Sequence, residues 1–445
     1  MADQLPPPRL PATGRPADAV LEDLQGFRAA DADWRRARTW SLVYHAGSAH
    51  DELIRAAHDE YLFENALSPT AFPSLARMEA DVVAMLVDLV GGDPRVAGGT
   101  MASGGTEATF LAVKAHRDAA RHEGRVSRGH LVVTATAHPA FHKAAEVLDL
   151  DVTVVPFGRD YRADVDAVAA ALRPETILLG ASAPCYPYGA LDPIGELGAL
   201  ATARGVGLHV DASLGGFFLS VLRGEGQPIP PFGLDVPGVT SMAVDLHKYG
   251  FAAKGASAIL YADRALRRRQ YFTNADWPGG TLSSPTLLGT RSGGPIAAAW
   301  AALHHLGRDG YAALFSRVMA ARERLIAGLE ALGFELLGEP PIGVFAMAAP
   351  GLDVHTVADR LGELGWRVDR QQEPDALHFI VQPDHAQVID AFVADVASIL
   401  DRLSDGGASP SRRGRLVYGQ TAVVDDDGDV DLDRVLRDHI DARFH

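Results

Sequence analysis

Between about residues 97 and 262 the chain alternates short apolar runs with segments of helical periodicity, and that alternation leaves few architectures open. Segments 130–137 (HLVVTATA), 152–157, 176–183, 207–212, 241–246 and 256–261 read as strands. Segments 164–172 and 194–204 read as helices between them. Strands that alternate with helices form βα units and a mostly parallel sheet, whose ligands sit beyond the carboxyl ends of the strands. Two helices, 51–61 and 74–89, precede this region. Helices at 295–307 and 311–332 lead out of it. A strand (343–347), a helix (354–364), a strand (377–381) and a helix (386–403) then form a smaller α+β unit. A loop at 404–414 is flexible by composition, and the tail closes with a strand and a helix. The reading divides the chain into an N-terminal arm and helix (1–60), a large domain (61–310) and a small C-terminal domain (311–445).

Charge and cysteine usage exclude several function classes. The 445 residues include 57 acidic and 41 basic side chains, a formal charge of -16, which disfavours a nucleic-acid or anionic-membrane surface. Cys185 is the single cysteine, so no intramolecular disulfide forms, and a reducing cytoplasm is the expected location. No apolar run reaches the roughly 18 residues a membrane span needs. The proline-rich N-terminus lacks an apolar signal core and reads as an extended arm. Abundant Ala, Arg and Gly hint at a GC-rich bacterial genome.

The chemistry concentrates where strands end. The strand at 241–246 runs into His247-Lys248-Tyr249-Gly250, which delivers a lysine to the ligand-bearing edge. A lysine there can form an imine with a carbonyl; a surface lysine is the simpler reading of Lys248 alone. Asp211 ends the strand before it, where a carboxylate is costly unless paired; a turn aspartate would explain it equally well in isolation. Ser103-Gly104-Gly105-Thr106-Glu107-Ala108 opens a helix that runs to about residue 121. Glycines at a helix N-terminus present N–H groups to a phosphate, although a plain capping turn with Thr106 as cap also fits. His138 follows the strand at 130–137 and can stack on a planar ligand, and His247 can reach a phosphate or carry a proton. Lysine, pyridine-binding aspartate, phosphate loop and stacking ring together are the set that pyridoxal 5'-phosphate (PLP) enzymes use.

With those residues in place the chain resembles the PLP-dependent decarboxylase group of fold type I, and within it the sphingosine-1-phosphate lyases. The likeness spans roughly residues 40–400 and returns near 416–445. It rests on TMASGGTEATFLAVKAHRD (100–118), HPAFHKAAE (138–146), PIGELGALATARGVGLHVDASLGGF (193–217), VTSMAVDLHKYGFAAKGASAILY (239–261) and DWPGGTLSSPTLLGTRSGG (276–294). The resemblance implies an aspartate aminotransferase-like α/β fold with a large, mostly parallel sheet domain and a small C-terminal one. It implies a homodimer with shared active sites. It also implies Lys248 as the Schiff-base lysine, Asp211 on the pyridine nitrogen, His138 over the ring and Ser213 under it. Gly104, Gly105, Thr106 and His247 would hold the cofactor phosphate, with Thr290 completing that site from the other subunit. For the substrate phosphate, Tyr44 and Lys254 match the family's tyrosine and lysine. Ser68 stands where the family carries histidine, so the implied head-group pocket has one cation fewer.

The expected reaction is cleavage of the Cα–Cβ bond of an amino alcohol, with Lys248, Lys254 and His247 as proton carriers. The alternative is loss of CO2 from an amino acid, which needs a cation for the carboxylate; Arg291 and Arg370 are the candidates. Transamination and a non-catalytic PLP-binding role rank lower. Remaining signals are bland. Arg267–Arg269 reads as a solvated helix face, and 425–429 lacks the Gly and Glu of a calcium loop. His304-His305 has no ligand partners at metal-binding spacing, so no metal is expected.

Overall fold

The computed structural model describes residues 9–404, 415–416, 423–424 and 432–441. Residues 1–8, nearly all of the 404–414 loop and the 425–429 run lie outside the described residues. The large domain is built on a sheet of seven strands: β1 (Gly98–Ala102), β2 (His130–Thr134), β3 (Asp151–Val155), β4 (Thr176–Ser182), β5 (Gly207–Asp211), β6 (Val239–Val244) and β7 (Ser257–Tyr261). Their order is β1-β7-β6-β5-β4-β2-β3. From β6 to β3 all neighbours are parallel, and β7 runs antiparallel to both β6 and β1. Two reversals cancel, so β1 points the same way as β6. The chain therefore leaves β1, β2, β4, β5 and β6 along one common edge.

Helices cover both faces, as near-continuous apolar strands require. Helix Gly105–His122 sets Ala108, Leu111, Ala112 and Ala115 at helical spacing against Ala243, Ile259 and Tyr261 of the sheet. Helix Ile194–Arg204 ends on Gly205 in the left-handed conformation (φ 64°), where a side chain would be strained. Helix Val165–Ala171 is capped by the Asp164 carboxylate, which accepts the Ala167 N–H at 3.0 Å. The helices anticipated at 295–307 and 311–332 occur as Gly293–Glu330, interrupted by the non-helical Gly307 (φ 56°, ψ -176°). Arg267 is half-buried against Gly98 rather than freely solvated, with its guanidinium 5.8 Å from the Tyr271 ring.

Beyond a hairpin of β8 (Phe272–Asn274) and β9 (Leu282–Ser284) lies the small sheet. Its strands are β10 (Glu335–Leu336), β11 (Val344–Ala348), β12 (Asp369–Gln371) and β13 (Ala376–Ile380), in the antiparallel order β10-β11-β13-β12. The N-terminal segment is stitched to this unit. Trp40 N–H donates to Arg367 O at 3.0 Å and Ile380 N–H to Trp40 O at 2.7 Å. The Trp40 ring is buried among Trp366, Phe379, His385 and Phe392. From there the chain crosses to the large domain at Tyr44, whose ring meets Tyr249 edge-on at 5.1 Å. No helix among the described residues is long and apolar enough to cross a membrane.

Candidate active site

The common sheet edge collects the side chains singled out in the sequence. β2 stops at Thr134, earlier than its apolar run suggests, because Ala137 N–H turns back to Thr134 O at 3.0 Å. His138 is thereby lifted off the strand axis. β6 stops at Val244, and the chain turns at once: Phe251 N–H donates to Lys248 O at 2.9 Å and Ala252 N–H to Leu246 O at 3.0 Å. That turn folds Lys248 over the strand end. Its Nζ lies 3.1 Å from Asp245 Oδ2, and His247 Nε2 lies 3.5 Å from the same oxygen.

Asp211 ends β5 opposite Ala243 of β6 and accepts the Ser213 N–H on Oδ1 at 3.0 Å. Burial alone would raise its pKa. The opposing charges of His138 and Lys248 win, and the carboxyl is held below its usual value. His138 is pushed down, first by burial, with Lys248 adding to the shift against the pull of Asp211 and Asp245. His247 is pushed down mainly by burial and further by Lys254 and Lys248. Both imidazoles therefore favour the neutral form around pH 7.

The glycine loop lies against this cluster. Helix Gly105–His122 has Gly104 as its N-cap with no capping side chain, and Thr106 is its second residue. The capping role the sequence allowed for Thr106 is thus not the one it plays. The first helical N–H groups lack intrahelical partners and point outward with the positive end of the dipole. A Cβ on Gly105 would fall 2.6 Å from Ser213 Oγ and 3.2 Å from Asp245 Oδ2, whereas one on Gly104 would meet only His247 Cε1 at 3.7 Å. A side chain at 105 would push the helix start away from the cluster.

These residues fit PLP on three counts. A carboxylate held ionised suits a protonated pyridine nitrogen. A bare helix N-terminus suits a phosphate, and the buried His247 Nδ1, without a hydrogen-bond partner, is available to the same group. A lysine amine lies 3.1 Å from the Asp245 oxygen that borders Gly105 and near enough to Asp211 to help depress its pKa. The loop is braced by Glu107, which the sequence reading left without a role. Its Oε2 accepts the Ser103 N–H and hydroxyl, both at 2.7 Å, and its Oε1 accepts the Leu287 N–H at 3.1 Å.

Tyr44 and Lys254 come together as anticipated. Lys254 Nζ sits 5.1 Å from the Tyr44 ring centroid and donates to His247 O at 3.2 Å. Although the side chain reaches solvent, desolvation and then repulsion from Lys248 push its ammonium down to about 8. Ser68 and Thr290 lie elsewhere, on a separate module. Asn65 Nδ2 donates to Thr290 Oγ1 at 3.3 Å, and Ala66 N–H donates to Arg291 O at 2.9 Å. Ser68 Oγ accepts the Ala71 N–H at 3.3 Å and lies 3.2 Å from Thr70 Oγ1. Neither arginine considered for a substrate carboxylate stands alone. Arg291 is gripped by both oxygens of Glu79 at 2.7 and 2.9 Å, and Arg370 is bonded to Asp359. Arg370 nonetheless lines a cavity of about 330 Å3 that opens beside His138 and is walled by Phe157, Tyr186 and Tyr188. No group of three metal-ligating side chains occurs among the described residues.

Comparison with known proteins shows the family and the fold. The family model "Pyridoxal-dependent decarboxylase conserved domain" matches residues 59–347. A sphingosine-1-phosphate lyase of Oryza sativa is 36% identical over 428 residues, covering 94% of this chain and 79% of its own. The solved sphingosine-1-phosphate lyase of Burkholderia pseudomallei superposes with a TM-score of 0.86 at 37% identity, over 90% of this chain and 94% of that one. A Lactobacillus brevis glutamate decarboxylase has a TM-score of 0.79 at 20% identity, over 92% and 97% of the two chains, a likeness of fold alone.

Proposed function

The chain belongs to the pyridoxal-dependent decarboxylase family, in its sphingosine-1-phosphate lyase-like branch, and from that premise we propose how it works as a PLP-dependent carbon–carbon lyase. The substrate is an amino alcohol, and opening its Cα–Cβ bond gives an aldehyde and an amine. The observation that carries this reading is the Tyr44–Lys254 pair beside Lys248. A cation and a phenol flank the reacting lysine at the place where an anionic or strongly polar head group would lie.

When bound, PLP supplies a carbonyl carbon for the substrate amine and an electron sink for the bond that breaks. The protein supplies everything around it. Asp211 keeps a positive charge on the ring nitrogen. The N–H groups at Gly105 and Thr106, with Gly104 and His247, hold the phosphate. His138 would cover one face of the ring and Ser213 the other. The β-hydroxyl of the substrate must lose a proton as the bond opens, and that proton ends on the former Cα. The amine of Lys248 is placed to carry it. Lys254, charged below about pH 8, holds the head group with Tyr44. The aromatic cavity beside His138 gives the carbon chain a dry wall.

Decarboxylation is the less favoured course, since Arg291 and Arg370 already bind carboxylates of the protein. The test measures aldehyde and CO2 in parallel from purified, PLP-loaded protein given amino alcohols and amino acids. CO2 without aldehyde would overturn the lyase reading. Absence of both, with PLP bound, would make the protein a non-catalytic binder.

The working form is a homodimer. Two observations support this. Ser68 and Thr290 are joined to one another's segments rather than to the Lys248 cluster of their own chain. Phe63, Leu287 and Leu288, close in sequence to Ser68 and Thr290, are exposed, as are Phe272 and Trp277; large apolar side chains left in water are candidates for burial between subunits. The lone, buried Cys185 is in keeping with a cytoplasmic location.

A further inference from the structure

We propose that Asp245 is a positioning residue that holds the Lys248 amine at the helix start whenever that amine is not joined to a carbonyl carbon. The proposal rests on Lys248 as the cofactor's lysine. Asp245 directly follows β6 and is 2% exposed. One of its oxygens, Oδ2, serves both Lys248 Nζ at 3.1 Å and His247 Nε2 at 3.5 Å, while Oδ1 has no hydrogen-bond partner. A buried carboxylate in that state is costly, and its stabilisation depends on the two nitrogens above it.

The backbone builds the contact. The turn after β6 brings residue 248 back over residue 245. On the other side the helix start closes in. A Cβ at position 105 would already lie 3.2 Å from Oδ2, so glycine there lets the carboxylate sit between the helix start and the lysine. The remaining charged or titratable groups facing Lys248 are Asp211 at the end of β5, His138 after β2, and His247 and Lys254 on its own loop. Asp211 also draws a proton to the amine; with PLP bound it serves the ring nitrogen, and in the PLP-free chain it is present alike in the wild type and the Asp245 variants. Lys254 disfavours a proton on the amine while it is charged, and the imidazoles of His138 and His247 are neutral around pH 7. Asp245 favours one from 3.1 Å away. It therefore fixes both where the released amine rests and that it rests as an ammonium, ready to return a proton.

The test is competitive acylation of the full-length chain after removal of PLP. Trace acetic anhydride is applied at pH 7, and the modified Lys248 peptide is quantified by mass spectrometry against the exposed Lys143. Loss of an opposite charge at this distance shifts an amine by one unit or more, so Asp245→Asn raises labelling of Lys248 about 10-fold or more. Asp245→Glu, which keeps the carboxylate, leaves it low. A purely structural role would instead raise labelling of other partly buried lysines such as Lys114 in parallel. Thermal melting monitors the fold, and if the Asn variant does not fold, Asp245→Ser is read in the same way. Unchanged Lys248 labelling in a folded neutral variant overturns the proposal. Borohydride fixation of PLP onto Lys248 in the wild type separately tests the assignment beneath it, so the two failures are distinguishable.

Discussion

Raising the pH from 7 to 9.5 should release the substrate's head group before it harms the chemistry. Lys254 is pushed from the ordinary lysine value down to about 8 by desolvation and by Lys248. Its charged form is therefore present below about pH 8 and is lost as the pH rises through that value. A charge-assisted contact to an anion is worth about 1.5–3 kcal/mol, or roughly 10- to 150-fold in affinity. With a phosphorylated amino alcohol, whose phosphate is already dianionic above pH 7, KM should rise about tenfold per unit beyond pH 8 and then level off within that range. Where turnover is slow, the inhibition constant of the same compound gives the same reading. The unphosphorylated counterpart carries the same amine and should show no such rise, which separates Lys254 from titration of the substrate. Lys254→Arg keeps its charge and should flatten the profile to pH 9.5. A flat KM in the wild type, or an equal rise in Lys254→Arg, would refute the assignment of Lys254 to the head group.

Four further outcomes follow from the same geometry. Borohydride treatment of the yellow, PLP-loaded protein should fix the cofactor onto Lys248, and Lys248→Ala should abolish that product; a reducible adduct surviving in the variant sinks the assignment. Asp211→Asn removes the charge facing the ring nitrogen, so cofactor affinity and nearly all turnover should fall, and near-native turnover counts against its role. Sedimentation should give about twice the 47.3 kDa chain mass, and an active monomer at assay concentration would contradict the shared site. Ser68→His restores a cation where the family has one and should improve use of a phosphorylated long-chain base by one to two orders of magnitude, about the worth of one charge-assisted contact; efficient wild-type cleavage unchanged by the substitution would show that position 68 does not set specificity.

The parts of the fold legible in the sequence are those fixed by local pattern. The strands β2, β4, β5, β6 and β7 are apolar runs that stop within a few residues of where the pattern ends. β1 was not legible as a strand, since Gly98 and Gly99 carry no strand propensity. The reason for Gly99 lies across the sheet: a Cβ there would fall 2.5 Å from Ile259 O. Helix Gly216–Gly224 and the β8–β9 hairpin were missed as well, being short and bounded by glycines or loops. The position of Lys248, Asp211 and His138 at the common sheet edge was legible because each ends or follows a strand. Asp245 carries no such signal. As the residue between a strand and a turn it looks like any turn aspartate, until the turn brings Lys248 back over it. Glu107 and Glu79 acquire their roles from Leu287 and Arg291, far along the chain, which no local pattern reports.

The separation of the site residues within one chain constrains how specificity can arise. Tyr44 reaches Lys254 because its segment is anchored on both sides. Trp40 is buried in the small domain, and His45 is held between Asp384 at 2.7 Å and Asp51 at 3.2 Å. These two head-group residues thus move with the Lys248 cluster. Ser68 does not: it belongs to a segment tied to Thr290 and Arg291, and Arg291 is in turn clamped by Glu79 on helix Pro73–Leu89. In the proposed dimer that module enters the partner's site as one piece, carrying the cofactor-phosphate contact of Thr290 and the head-group contact of Ser68 together. A substitution at position 68 then alters substrate choice without disturbing Tyr44 or Lys254. Loosening the Glu79 clamp should instead weaken cofactor and substrate binding at once.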